Sequence, residues 1–276
     1  MERSIPEGDC CMKLLNLGCG HHYHSAWINV DFASKRHGVI AHNLKKGLPF
    51  PDESFDVVYH SHLLEHFSKD YAPIFLRECF RVLKPKGIIR VVVPDFERIA
   101  RIYLELLEQA LEGDKVTQSR YEWIVLEMFD QMVRNKPGGA MLDYWKRNPM
   151  PAEDFVIERV GSEVINALAV LRSPTAISQA ANRAEKDART DEHALRIGTF
   201  RLSGEVHQWM YDRYSLSVLL KEAGFPNIHQ CRADESSIPD FDRYGLDLEP
   251  DGSVRKPDSL FMEATKPASG YSVKGG

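Results

Sequence analysis

Lys13-Leu-Leu-Asn-Leu-Gly-Cys-Gly20, followed by Trp27-Ile-Asn-Val-Asp31, is the stretch that decides the fold. Residues 13–17 form a short apolar run that stops at two glycines, as a buried strand does. Residues 27–30 are a second such run, closed by Asp31. Glycine suits a sharp turn or a close ligand approach, and in an open parallel sheet that place is the crevice at the carboxyl end of the first strand. A dinucleotide site would carry a third glycine, but that position is Tyr23, within the bulky His21-His-Tyr-His24. The turn therefore suits a nucleoside without a pyrophosphate. Asp31, at the end of the second strand, is placed to accept hydrogen bonds from ribose hydroxyls. Only eleven positions separate Gly20 from Asp31, so the first helix must be very short or replaced by a loop.

Working outward, Val39-Ile-Ala-His42 is a weaker third strand and Phe55-Asp-Val-Val-Tyr59 a fourth. Ile88-Ile-Arg-Val-Val-Val93 is a fifth, closed by Pro94. Between the last two, Leu76, Cys79, Phe80 and Leu83 make one helical stripe, with Pro73 in its first turn and Pro85 and Gly87 at its end. Strand, helix and strand at this spacing form a βαβ unit and imply a parallel sheet. Asp95 can cap a long helix with Ile99, Tyr103 and Leu107 inward. Residues 112–205 show helical stripes, such as Ile157, Val160 and Val164, and no strand alternation; 178–190 are polar. A helix ending at Gly224 and strands near 228–232 and 260–264 complete the pattern. The predicted fold is a Rossmann-like, doubly wound, mostly parallel seven-stranded α/β sheet with a helical insertion after the fifth strand. Residues 1–111 and 206–266 form the cofactor-binding domain, 112–205 an insertion that caps the substrate, and 267–276 a flexible tail.

The 276 residues carry a formal charge of −5, with 35 basic against 40 acidic side chains, which argues against general nucleic-acid binding. Five cysteines without CxxC spacing, adjacent Cys10 and Cys11 included, read as reduced thiols. Residues 1–11 lack the apolar run of a signal peptide, and no apolar run approaches the roughly 20 residues that span a bilayer. The expectation is a cytoplasmic protein with no membrane span. The oligomeric state is not readable.

Taken together, LNLGCG, INVDF, LKKGLPFPDESFDVVYHSHLLEH and FLRECFRVLKPKGIIRVVVPD resemble the class I methyltransferases that use S-adenosylmethionine, in particular the type 11 group. The likeness covers residues 13–95, and MYDRYSLSVLLKEAGF extends it at 210–225. It implies S-adenosylmethionine as cofactor. Gly18, Cys19 and Gly20 would pass under its amino-acid end, with Asp31 and Phe32 at the ribose and Asn43 and Leu44 beside the adenine. His60, Ser61 and His62 would form the floor beneath the sulfonium. Asn16 stands where the family usually has an acid, and Asn43 where it often has Asp; the Asn43 carbonyl could still accept from the adenine amino group.

A methyl acceptor atom that is an oxygen calls for a general base, and histidine suits neutral pH. His207, in the polar-aromatic His207-Gln-Trp-Met-Tyr211, is the first candidate and His62 the second. The acceptor is expected to be a small molecule or glycan, methylated at O or N. The rival readings are a non-catalytic cofactor-binding or interaction protein on the same fold, and a zinc hydrolase. His62-Leu-Leu-Glu65-His66 matches the HxxEH zinc pattern, but that motif needs a long helix and here follows a strand directly, so no metal is expected.

Overall fold

The computed structural model describes residues 12–32, 34–173 and 191–268. Cys10, Cys11, the polar stretch 178–190 and most of the expected tail lie outside the described residues. The strands are β1 (Leu14–Leu17), β2 (Ile28–Asp31), β3 (Val39–Ala41), β4 (Phe55–Ser61), β5 (Leu83–Pro94), β6 (Asn227–Cys231) and β7 (Ser259–Thr265). They form one sheet in the order β3-β2-β1-β4-β5-β7-β6. The first five run parallel, and β7 is antiparallel to both β5 and β6. This is the Rossmann-like, mostly parallel sheet that the strand pattern predicts.

Strand alternation sorts the side chains onto two faces. On one face Leu15, Leu17, Val58, Ile89, Val91 and Val93 pack against α1 (Ala72–Val82), whose stripe of Phe75, Leu76, Cys79 and Val82 is fully buried. A C-terminal helix over Arg213–Glu222 joins this core through Leu216 and Leu220, its start held by a capping box between Asp212 and Ser215. On the other face Leu14, Val57, Tyr59 and Val92 meet Phe241, Tyr244 and Leu246, from the long connection between β6 and β7. Trp27 packs edge-on against Tyr59, Phe241 and Tyr244. No helix joins β1 to β2: residues 21–27 form a loop, as the short spacing requires.

The β6–β7 connection is anchored by a buried cation. Arg90, fully buried on β5, places Nε 2.7 Å from Asp247 Oδ2 and one terminal nitrogen 2.7 Å from Glu263 Oε1. Its remaining donors reach the carbonyls of Arg232, Ala233 and Glu235, and Tyr59 Oη donates to Asp247 Oδ1 at 2.6 Å. Every charge in the cluster thus has a partner, which is what makes burial tolerable.

After β5 the chain leaves the sheet. Asp95 caps α2 (Phe96–Leu111) by accepting from Arg98 N, and α2 packs along α3 (Lys115–Val133). The shorter helices α4 (Gly139–Trp145), α5 (Glu153–Val160) and α6 (Ser162–Leu171) close around α3 with their own core of Trp123, Tyr144, Val156, Val164 and Leu168. Inside it Glu127 accepts from Trp123 Nε1 at 3.1 Å and pairs with the buried Arg159. A further helix over Asp191–Leu202 precedes the return to the sheet, where Tyr211 bridges to Asp95. Among the described residues no helix is long and apolar enough to cross a membrane.

Removing one partner from a buried ion network leaves the others charged and unpaired. Arg90→Ala should therefore lower unfolding free energy by about 3–5 kcal/mol in urea titrations. A loss below about 1 kcal/mol, the worth of a surface ion pair, would show that the network does not anchor the connection.

Candidate functional site

The glycine turn is built from both neighbouring strands. Gly18 N and Cys19 N donate to Val30 O at 2.8 and 3.2 Å, and Gly20 N donates to Asp31 Oδ2 at 2.8 Å. Both glycines have left-handed backbone, at φ 64° and 53°. A Cβ on Gly18 would stand 2.7 Å from Leu63 Cδ1, whereas one on Gly20 would meet nothing within 4 Å. The turn is closed below and open above, as a cradle for a bound nucleoside's tail must be.

Two cavities flank this turn. One, of about 350 Å³, is lined by Asp31, Phe32, Asn43 and Leu44 on one side and by His66, Phe67 and Gly204 on the other. The second, of about 660 Å³, is lined by Asn16, Cys19, Gly20 and Ser61. Its outer wall is Ser162, Glu163 and Asn166 from α6 and Glu249, Arg255 and Lys256 from the β6–β7 connection. Gly18 and His62 line both. The outer wall is polar and tied together: Lys256 Nζ lies 3.6 Å from Glu163 Oε2, and Ser162 Oγ donates to Arg255 O at 3.4 Å.

Most candidate residues from the sequence come together here, with their own structural duties. Asp31 both braces Gly20 and lines the smaller cavity. Asn43 Oδ1 accepts from Lys45 N at 3.0 Å as the cap of a short 3-10 turn, so one of its two lone pairs is already used. Asn16 is buried and donates to Asn29 Oδ1 at 3.1 Å. His60 departs from expectation. It sits on the α1 face of β4 against Phe75, with both ring nitrogens unpartnered, and lines neither cavity. Strand alternation sends Tyr59 and Ser61 toward the larger cavity and His60 away from it. Burial pushes its pKa down to about 3.

His62 ends β4 in left-handed backbone, φ 50°, a strained conformation for a side chain of this size. Its Nε2 pairs with Ser259 Oγ at 2.7 Å and its Nδ1 faces Glu65 Oε1 at 3.4 Å. Burial first, then the charge of Lys256, holds its pKa well below the ordinary histidine range. His207, the first candidate base, lies in neither cavity lining and is buried behind His66, with ring centroids 4.7 Å apart. Beside both lies Glu65, fully buried, its pKa pushed up to about 8 by burial. Glu163, Asn166, Arg255 and Lys256 escaped the sequence reading as binding residues, because the segments that carry them are remote in sequence and show no motif.

Residues 15–91 match the family model described as a methyltransferase domain. A Mycolicibacterium smegmatis protein described as a probable S-adenosylmethionine-dependent methyltransferase is 40% identical over 74 residues, 27% of this chain and 25% of that relative. The chain therefore spans about a quarter of the length of the curated relative it matches. Among solved structures, an S-adenosylmethionine-dependent methyltransferase from Mesorhizobium loti aligns at a TM-score of 0.38 and 13% identity, covering 92% of this chain and 91% of that one. One from Archaeoglobus fulgidus aligns at 0.38 and 11%, covering 93% and 87%.

The placement of His60 has a measurable consequence. The unfolded chain protonates this histidine near pH 6.5, while the folded chain resists until about pH 3. Its contribution to stability is therefore lost as pH falls below 6.5, at about 1.4 kcal/mol per pH unit. Between pH 7.5 and 5, His60→Leu should lose about 2 kcal/mol less stability than the parent chain, by urea midpoints at both values. Equal acid losses would mean that His60 is solvated and faces a cavity.

Proposed function

We propose that this chain transfers a methyl group from S-adenosylmethionine to an oxygen or nitrogen of a small polar acceptor, glycans included; the match of residues 15–91 to the methyltransferase-domain model supports this reading. The carrying observation is that two cavities of different character meet at Gly18 and His62. The smaller, with an acid, an aromatic ring and an amide along one wall, fits a nucleoside. The larger, walled by α6 and the β6–β7 connection, offers charged and amide groups suited to a hydroxyl- or carboxyl-rich molecule. The residues present fit the cofactor. The turn is open above Gly20, and Asp31 lines the smaller cavity, where a carboxylate can accept from ribose hydroxyls. Arg255 and Lys256 bring positive charge to the cavity that the amino-acid end would enter.

When bound, the sulfonium supplies an activated methyl group, and the chemistry asks little covalent help of the protein. What the chain contributes is alignment and exclusion of water. Helices α3 to α6 belong, in this reading, to an acceptor cap within 112–205, supported by the three α6 side chains in the cavity wall. His62 takes the role of general base in place of His207. It lies at the meeting point of the cavities and is held in one orientation by Ser259, whereas His207 reaches neither. Neutral at physiological pH, its imidazole can accept the acceptor's proton.

The test is release of S-adenosylhomocysteine against a panel of sugars, phenols, carboxylates and amines. On an acceptor so found, His62→Ala should lower turnover at saturating cofactor by roughly 10²–10⁴-fold, as loss of a general base does. Unchanged turnover in that variant would remove His62 from catalysis. Asp31→Ala should weaken cofactor binding by about 1.5–3 kcal/mol, the worth of hydrogen bonds to a charged group. Affinity within about twofold of the parent, under 0.5 kcal/mol, would leave Asp31 only its turn-bracing duty.

A further inference from the structure

Behind the wall of the smaller cavity, three side chains from two distant segments converge. Glu65 and His66 sit in a 3-10 turn after β4, and His207 enters from the return of the helical region. One ligand atom of each lies within 4.8 Å of the other two. Their polar atoms are left over: both oxygens of Glu65, Nδ1 of His66 and Nδ1 of His207 are buried without a hydrogen-bond partner. A buried carboxylate with neither oxygen bonded is among the costliest groups a protein can hold. The three residues thus carry four such atoms between them, and it is Nε2 of His207 that faces Glu65, at 3.9 Å.

The backbone shows that the convergence is held in place. Gln208 N and Trp209 N donate to Glu65 O at 2.6 and 3.2 Å, and His207 N donates to Gln131 O at 3.0 Å. Among the described residues no arginine or lysine forms an ion pair with Glu65, which faces His62 at 3.4 Å and His207 at 3.9 Å. Two imidazoles and a carboxylate are the donor set of zinc-class divalent ions, whose reactive or exchangeable sites use three protein ligands and one open position.

We propose that Glu65, His66 and His207 form a binding site for a divalent transition-metal ion of the zinc class. The expectation of no metal rested on the absence of a long helix behind HxxEH, and the turn is indeed only Leu64–His66. That reason addresses a helical zinc motif. Here the third ligand comes instead from 141 residues along the chain, and His62 stands outside the shell with Nδ1 toward Glu65. In a tetrahedral shell, ligand atoms about 2.1 Å from the ion stand roughly 3.4 Å apart, so side-chain rotation must draw the three together. The ion would clamp the returning segment to the turn that carries His62. The site does not depend on the methyl-transfer reading, and its test measures metal alone.

The full chain, carrying no histidine tag, is stripped with chelator and titrated with Co²⁺ and with Zn²⁺. Expected are saturable uptake of one equivalent by elemental analysis, a tetrahedral Co²⁺ absorption band and a raised melting temperature. Glu65→Gln and His207→Gln, of similar shape, should each weaken binding by more than about 100-fold, the upper end of what loss of a mere outer-shell partner costs. Circular dichroism and urea unfolding show whether those variants remain folded. Absence of stoichiometric uptake by the folded parent chain overturns the proposal, and then Glu65 is held protonated among neutral imidazoles. Uptake that survives in both variants overturns it equally, by placing the ion elsewhere. Should a variant fail to fold, the parent's uptake and the number of nitrogen ligands in its X-ray absorption spectrum decide: two imidazoles support the site, none overturns it.

Discussion

The bond from Gly20 N to Asp31 Oδ2, 2.8 Å long, is the constraint on which the site depends. Two left-handed glycines make a turn that has no intrinsic reason to hold one shape, since glycine loses more conformational freedom than any other residue on folding. The carboxylate at the end of β2 supplies that reason, together with the two donations to Val30 O. With the turn fixed, Gly18 becomes the floor shared by two cavities, and Leu63 is packed where its Cβ would be. A single acid thus shapes the turn and lines the smaller cavity.

The rest of the architecture compensates for a missing helix. The β1–β2 loop leaves one sheet face bare over Leu14, Val57 and Tyr59, and an aromatic-rich connection between β6 and β7 covers it. Such a segment has few internal backbone bonds, so its polar groups need partners elsewhere. Arg90 serves four of them, the Asp247 carboxylate and three carbonyls, while its bond to Glu263 ties it to β7. The same connection then carries Arg255 and Lys256 to the larger cavity, where α6 meets them. The face-covering segment and the helical region therefore close one cavity between them.

The strands and α1 were legible because apolar period and punctuation coincide: Gly18 stops β1, Asp31 ends β2, and Pro73 sits in the first turn of α1. The helix ends earlier than its stripe suggested, at Val82, and Leu83 and Pro85, read as its last stripe residue and its stop, belong to β5. The cradle residues were legible for the same reason, since motif and strand end fall together. His60 was misplaced because a motif read as a block ignores the two-residue alternation of β4, which was visible in the sequence all along. The 232–258 connection was not legible, because its burial is set by distant aromatics and a buried arginine rather than by local period. Nor was the meeting of His207 with Glu65 and His66, which only the return path of the chain determines.

The most direct measurement is calorimetric titration of the intact chain with S-adenosylhomocysteine and, separately, with NAD. The bulky His21-His-Tyr-His24 segment and the small acid-lined cavity suit a pyrophosphate poorly, while in the proposed reading the open turn above Gly20 receives a nucleoside with an amino-acid tail. The account predicts saturable binding of S-adenosylhomocysteine and much weaker binding of NAD. NAD binding as tight as, or tighter than, that of S-adenosylhomocysteine would contradict it.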